Sequence, residues 1–135
     1  MALYGTQEWA DLVMEKANAD KAYEEAGKNW EGAFYLIIEK GGSITEPIYT
    51  YLDLWHGKCR KAVMTKNEDD FKPEFTMSAT METWEKMMTG KADGMQLMAT
   101  RKLKIKGSMA YIGRNVKATG AFTNVLASVP TEFPK

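Results

Sequence analysis

Cysteine is nearly absent from this chain of 135 residues, with Cys59 standing alone. No internal disulfide can form, which removes the covalent framework of small secreted domains. An excess of charge of one sign is missing as well, because 18 lysines and arginines face 18 aspartates and glutamates. Nucleic-acid binding driven by a global basic field is therefore excluded, and any electrostatic role is local. Long hydrophobic runs are missing too: no stretch approaches the roughly 18 apolar residues that span a bilayer. Gln7, Glu8 and Asp11 interrupt the amino-terminal sequence before a signal-peptide core builds up, and Phe133-Pro134-Lys135 is not a peroxisomal address. The expected location is cytoplasmic. Repeats, low-complexity tracts and linkers are also lacking, and the length suits one domain, residues 1–135, around a single core.

What the chain holds in quantity is methionine, ten residues of it. A flexible, polarizable side chain suits an adaptable apolar cavity and ordinary core filling alike. Apolar periodicity orders the rest. Thr6 is placed to cap a helix with Trp9, Leu12 and Val13 along one side; Asn18 interrupts that pattern, and Asp20 caps a second helix over 21–26 that stops at Gly27. These form an amino-terminal arm over 6–27. From Trp30 the pattern changes to a near-continuous apolar run, Gly32 to Ile38, as in a strand covered on both sides. Ile48, Thr50, Leu52 and Leu54 then share one strand face, and Tyr49, Tyr51, Asp53 and Trp55 the other. Gly57-Lys58 is the predicted turn into a return strand over 59–65. That register sets His56 opposite Cys59 and Leu52 opposite Val63 on the inner face, with Trp55 meeting Arg60 outside in a cation–aromatic contact. Residues 66–73 read as a charged loop. Its Glu68, Asp69 and Asp70 lack the turn glycine and converging oxygens of a metal site, so no metal is expected.

The stretch from Phe75 to Met109 packs several elements into one unit. Phe75, Met77 and Ala79 alternate with Thr76 and Ser78 as in a half-buried strand, and Thr80 then offers a helix cap. Trp84, Met87 and Met88 fall at helical spacing, Glu82 and Lys86 pair on the opposite face, and Gly90 supplies the stop. After a short segment with Met95, Leu97 and Met98, Lys102, Lys104 and Lys106 alternate with Leu103 and Ile105. The sheet and its central helix are thus predicted over 30–107. Met109, Ile112 and Val116 are again helically spaced, a break is predicted at Gly120, and Phe122, Val125, Leu126 and Val129 resume the period until Pro130. This is a helical cover over 108–129. Helices at both ends, three strands in the middle, then strand, helix and strand, argue for an α+β sheet with its helices gathered on one face.

As an ordered set, the strand Phe75 to Ser78, the MMTGK of Met87 to Lys91 and the KLKIKGSM of Lys102 to Met109 resemble the type-two sterol carrier protein family, with matching spacing between motifs. The resemblance covers most of the chain. It implies a mostly antiparallel five-stranded sheet, helices over one side, and a tunnel between the layers that accepts lipid. One position departs: Arg101 stands where the family usually has glycine, at the turn into the basic strand. The lining expected on this reading is Leu36, Ile38, Leu52, Leu54, Trp84, Met87, Met88, Met98, Leu103, Ile105, Met109, Ile112, Phe122 and Leu126. The same residues also read as a filled core. Arg101, Lys104 and Lys106 are candidates to meet an anionic headgroup, a fatty carboxylate or a coenzyme A phosphate at the tunnel mouth; as edge-strand charges they also deter aggregation. The implied partner is a hydrophobic small molecule, a fatty acid, acyl thioester or sterol-like lipid, admitted by movement of the C-terminal segment. No cofactor and no nucleic acid are implied, membrane contact is transient at most, and the protein is a monomer or homodimer.

Two other classes fit parts of the sequence. A small pocket enzyme would use His56 and Cys59, an imidazole facing a thiol, or a buried carboxylate as its base. No oxyanion donor or orienting third group accompanies the pair, and Asp53, the nearest carboxylate, points outward. A noncatalytic dimerisation module would use Tyr49, Tyr51 and Trp55 as its patch. The ionisable content of the interior discriminates carriage from catalysis.

Overall fold

Short polar side chains start the helices where their spacing predicts. Thr6 accepts a hydrogen bond from the Trp9 amide and opens α1 (Gln7–Ala19), and Asp20 does the same for the Tyr23 amide ahead of α2 (Lys21–Ala26). Asn18 does not interrupt α1. It stays helical and grips both backbone groups of Cys59, at 2.8 and 3.0 Å. The computed structural model describes residues 1–133; Pro134 and Lys135, part of the carboxyl-terminal tripeptide considered above, lie outside the described residues.

Two residues at each end, β1 (Ala2–Leu3) and β7 (Thr131–Glu132), form a parallel ribbon that joins the termini. Elements this short carry no readable period. The main sheet comprises β2 (Glu31–Ile38), β3 (Ile48–Trp55), β4 (Lys58–Thr65), β5 (Phe75–Ala79) and β6 (Lys104–Lys106), in the order β4-β3-β2-β5-β6. All neighbours are antiparallel except β2 and β5. The helices gather on one face: α1 and α2, then α3 (Met81–Met88), α4 (Gly94–Ala99), α5 (Met109–Arg114) and α6 (Val116–Ser128). No helix among the described residues is long and apolar enough to cross a membrane.

The β3–β4 turn falls one residue earlier than predicted. His56 and Gly57 are its central residues, at φ 50° and 78°, and two left-handed residues are what a tight hairpin of this hand requires. Leu54 therefore pairs with Cys59, Trp55 with Lys58 and Leu52 with Ala62, in place of His56 with Cys59 and Leu52 with Val63. A bulge at Arg60 restores the outer contact. As the extra residue it reaches the Trp55 ring at 4.6 Å and makes two bonds of 3.1 Å to Asp53.

Two boundaries in the last third also differ from the sequence expectation. The C-terminal break lies at Asn115, whose side chain donates to the Tyr111 carbonyl at 2.8 Å, while Gly120 stays inside α6 beside Met95. The basic strand begins at Lys104 instead of Lys102. Ahead of it Arg101 takes the left-handed conformation, φ 63°, and the amides of Lys102 and Leu103 both bond back to the Leu97 carbonyl. This is the helix stop that glycine usually closes, kept here with a side chain at a strain of about 1 kcal/mol.

Candidate ligand site between the sheet and the helices

Strand alternation aims Phe34, Leu36 and Ile38 of β2, and Leu52 and Leu54 of β3, at the helical layer. The helical period of α3 and α6 aims Trp84, Met87, Met88, Phe122 and Leu126 back at them. All of these are buried, as are Leu103 and Ile112. Met98 and Ile105 are half-buried at the margin of the same cluster. Met109 does not belong to the interior: it opens α5 on the solvent side, 59% exposed, while Ile112 is the residue that α5 buries.

Where α2 and α6 cover β2 and β3, the two layers meet side chain to side chain. Between Tyr23, Trp30, Phe34, Leu54, Ala118, Thr119 and Phe122 the remaining void is about 10 Å³, at the lower limit of what one water needs. At this place between the layers an aromatic stack fills the space that the resemblance assigns to a tunnel. Trp30 lies on Phe34 with centroids 5.6 Å apart, Phe34 on Phe122 at 5.8 Å, and Tyr23 leans on Phe122 at 6.0 Å. Tyr23, Trp30, Phe34 and Thr119 are not among the expected lining residues. Trp30 and Phe34 share the parity of Leu36 and Ile38, so extending that alternation backwards finds them; Tyr23 is the one large apolar side chain of α2.

The interior contains little that can do acid–base chemistry. Its buried threonines are each satisfied locally, Thr119 and Thr123 by carbonyls of their own helical segment and Thr50 by the Met64 sulfur, whereas the buried Tyr4 hydroxyl has no hydrogen-bond partner among the described residues. Burial raises the Tyr4 and Tyr23 hydroxyls well above their ordinary range. Burial also pushes the Cys59 thiol up to about 12, the opposite of an activated nucleophile. Nor do His56 and Cys59 form a dyad. His56 sits in the exposed turn and bonds Glu31 at 2.6 Å, whereas Cys59 faces inward opposite Leu54. No group of acidic, histidine or cysteine side chains suited to a metal ion occurs among the described residues.

The cationic candidates lie elsewhere. Lys104 pairs across from Ser78 and Lys106 from Thr76, the side of β5 that alternates with buried Phe75, Met77 and Ala79, so both lysines project from the face turned away from the helices. Lys104 is held there by Glu39 at 3.1 Å, and Arg101 belongs to the turn after α4. The outward aromatic patch is partly covered: residues 66–74 fold over it, Tyr51 stacks on Phe71 at 4.1 Å, and the Tyr35 hydroxyl accepts from the Phe71 amide. Trp55 remains 37% exposed beneath its arginine.

A one-sided helical layer on an open five-stranded sheet, with an apolar interior between them, is the architecture of an α+β lipid carrier. Residues 12–118 match the SCP-2 sterol transfer family, and the chain belongs to that family. A crystal structure of sterol carrier protein 2 superposes with a TM-score of 0.86 at 26% identity, covering 93% of this chain and 98% of the other. A protein from Thermus thermophilus, described as possibly a sterol carrier protein, gives 0.82 at 26% identity, with 94% and 90% covered. Sterol carrier protein 2 of Yarrowia lipolytica in its apo form shares the fold at 18% identity and a TM-score of 0.55, with 87% and 88% covered. No curated protein sequence matches this one. Family and fold are thus those of lipid-binding and lipid-transfer proteins.

Proposed function

We propose that this chain binds a fatty acid, a fatty acyl thioester or a sterol-like lipid between its sheet and its helices and carries it without covalent chemistry. The observation that carries the reading is the interior itself: a continuous apolar layer from Leu36 and Leu52 across to Met87 and Phe122, with no buried carboxylate, imidazole or ammonium among the described residues. Burying a sixteen-carbon chain is worth about 12 kcal/mol gross, at about 0.8 kcal/mol per methylene before ordering costs. That gain is what is set against the cost of parting the packed layers on uptake. The lining is then the buried set above together with Tyr23, Trp30 and Phe34. The carrier works in the cytoplasm as a monomer or homodimer that touches membranes only in passing.

Mass spectrometry of freshly purified and of lipid-loaded protein, beside thermal melts with long-chain ligands, tests the reading. Retained lipid and a melting temperature that climbs with ligand concentration are expected. Protein that neither retains lipid nor shifts with any long-chain ligand removes the reading. Cys59→Ser leaves binding intact if no covalent step exists.

A further inference from the structure

An open groove of about 620 Å³ runs between α2 and the α5–α6 junction, outside the interior but sharing a lining residue with the small void inside it. Ala118 is shared: it walls the groove on one side and lines the void beside Trp30 and Phe122 on the other. We infer that this groove is the entrance to the lipid site, where Arg114, Lys117 and Lys28 receive the anionic head, phosphate or carboxylate, of a lipid whose chain passes Ala118 into the interior. The inference rests on the carrier reading and adds to it where the ligand enters and what head it bears.

Three features support the assignment. The first is the passage. Where the groove meets the interior, α2 and α6 present alanines, Ala26 and Ala118, so little side-chain bulk stands between outside and inside. The second is charge. Three cationic side chains line the groove against one carboxylate, Glu25, which already pairs with Lys28 at 2.9 Å. Arg114 and Lys117 make no ion pair among the described residues, unlike Lys104 of the basic strand, which is engaged by Glu39. Charge-assisted bonds from arginine and lysine are the ordinary way to hold a phosphate or carboxylate. The third is direction. Lys104 and Lys106 project from the far side of the sheet, whereas the groove opens on the helical side, next to the space that a chain must enter. The first turn of α6 carries no acidic residue and no side-chain cap, so nothing in that turn opposes an anion.

The test uses the full chain, stripped of lipid, titrated calorimetrically with dodecyl phosphate and with dodecanol. The wild type is expected to bind the phosphate about tenfold more tightly than the alcohol. The double variant Arg114→Glu, Lys117→Glu is expected to lose that difference while keeping its affinity for dodecanol, and Lys104→Glu, Lys106→Glu to keep the difference. Ala118→Trp, which plugs the passage, is expected to weaken both ligands; should it fail to fold, the charge variants still decide. Unchanged phosphate preference in the groove variant, or its loss in the strand variant, overturns the entrance. Inorganic phosphate competing as well as dodecyl phosphate also overturns it, since the groove would then serve a free anion. A wild type that binds neither amphiphile fails the carrier reading itself, a result distinct from the other two.

Discussion

α2 and α6 close the same void, yet they are held there on very different terms. α6 is 13 residues long and buries Ala118, Thr119, Phe122, Thr123, Val125 and Leu126. α2 is six residues long and buries Tyr23. At about 1.5–3 kcal/mol for each large apolar side chain, lifting α6 exposes three such side chains and lifting α2 exposes one. A helix of six residues also has no stability of its own in water, because isolated helices need about 12–15 residues to be even marginal. α2 is instead fastened at its rim: by the Asp20 cap, by the close approach of Gly27 to Gly57, and by the Glu24–Lys58 pair at 2.5 Å. One helix is a wall set into the core and the other a short piece clipped to a hairpin. The sequence alone suggested movement of the C-terminal segment as the way in; with the entrance proposed above, this energetic comparison favours α2 as the element to yield.

The largest effect expected from this contrast is on global stability. Phe122→Ala removes the ring on which both Phe34 and Tyr23 lean, and a buried phenylalanine truncated to alanine costs about 3–5 kcal/mol. Urea denaturation should show a lower midpoint with an unchanged slope. Tyr23→Ala, in a helix able to settle into the gap, is expected to cost clearly less. Equal losses would break the distinction between wall and clip.

A smaller effect is expected at the clip itself. A Cβ on Gly57 would stand 2.5 Å from the Glu24 carbonyl oxygen and 2.9 Å from its Cα, and the residue already has φ 78°. Gly57→Ala therefore strains the turn and pushes α2 away, at about 1–3 kcal/mol. Amide exchange should accelerate in α2 well before it does in α6. A uniform acceleration of both would mean that α2 is not a separable unit.

The two helices also differ in how far the sequence revealed them. Both ends of α2 were legible, because Asp20 and Gly27 are local chemistry: a side chain that caps and a residue that stops. The apolar face of α6 was legible from its period, but its start was not. Gly120 looked like the break, whereas Asn115 makes it through a bond to Tyr111 that no periodicity announces. The same limit moved the hairpin turn by one residue. Gly57 marked the turn, but His56 adopts a left-handed backbone that its residue type does not signal, and the bulge at Arg60 then resets the register. Which apolar residues face inward followed from alternation and helical spacing. Whether they enclose a space is decided by how Trp30, Phe34 and Phe122 stack across two layers, a property of packing to which hydrophobic patterning is blind.

The smallest effect expected is electrostatic and confined to α2. The hydrogen bond from Lys58 and its charge hold the Glu24 carboxylate below the ordinary value of 4.5, against an opposing contribution from desolvation and with a lesser one from the charge of Lys21. A carboxylate depressed in the folded state contributes fully above its unfolded value and stops contributing as pH falls through its folded one. The clip is therefore intact at neutral pH and loosens as pH falls to and below the ordinary carboxylate value. After correction for intrinsic rates, amide exchange in α2 should rise over that window relative to α6. Glu24→Gln should show the faster α2 exchange already at neutral pH, and added salt should narrow the gap between variant and parent, because the pair is exposed and screened. Were α6 to loosen in parallel over the same window, or Glu24→Gln to match the parent at neutral pH, the Lys58 contact would not be what fastens α2, leaving the Asp20 cap and the Tyr23 ring to hold it.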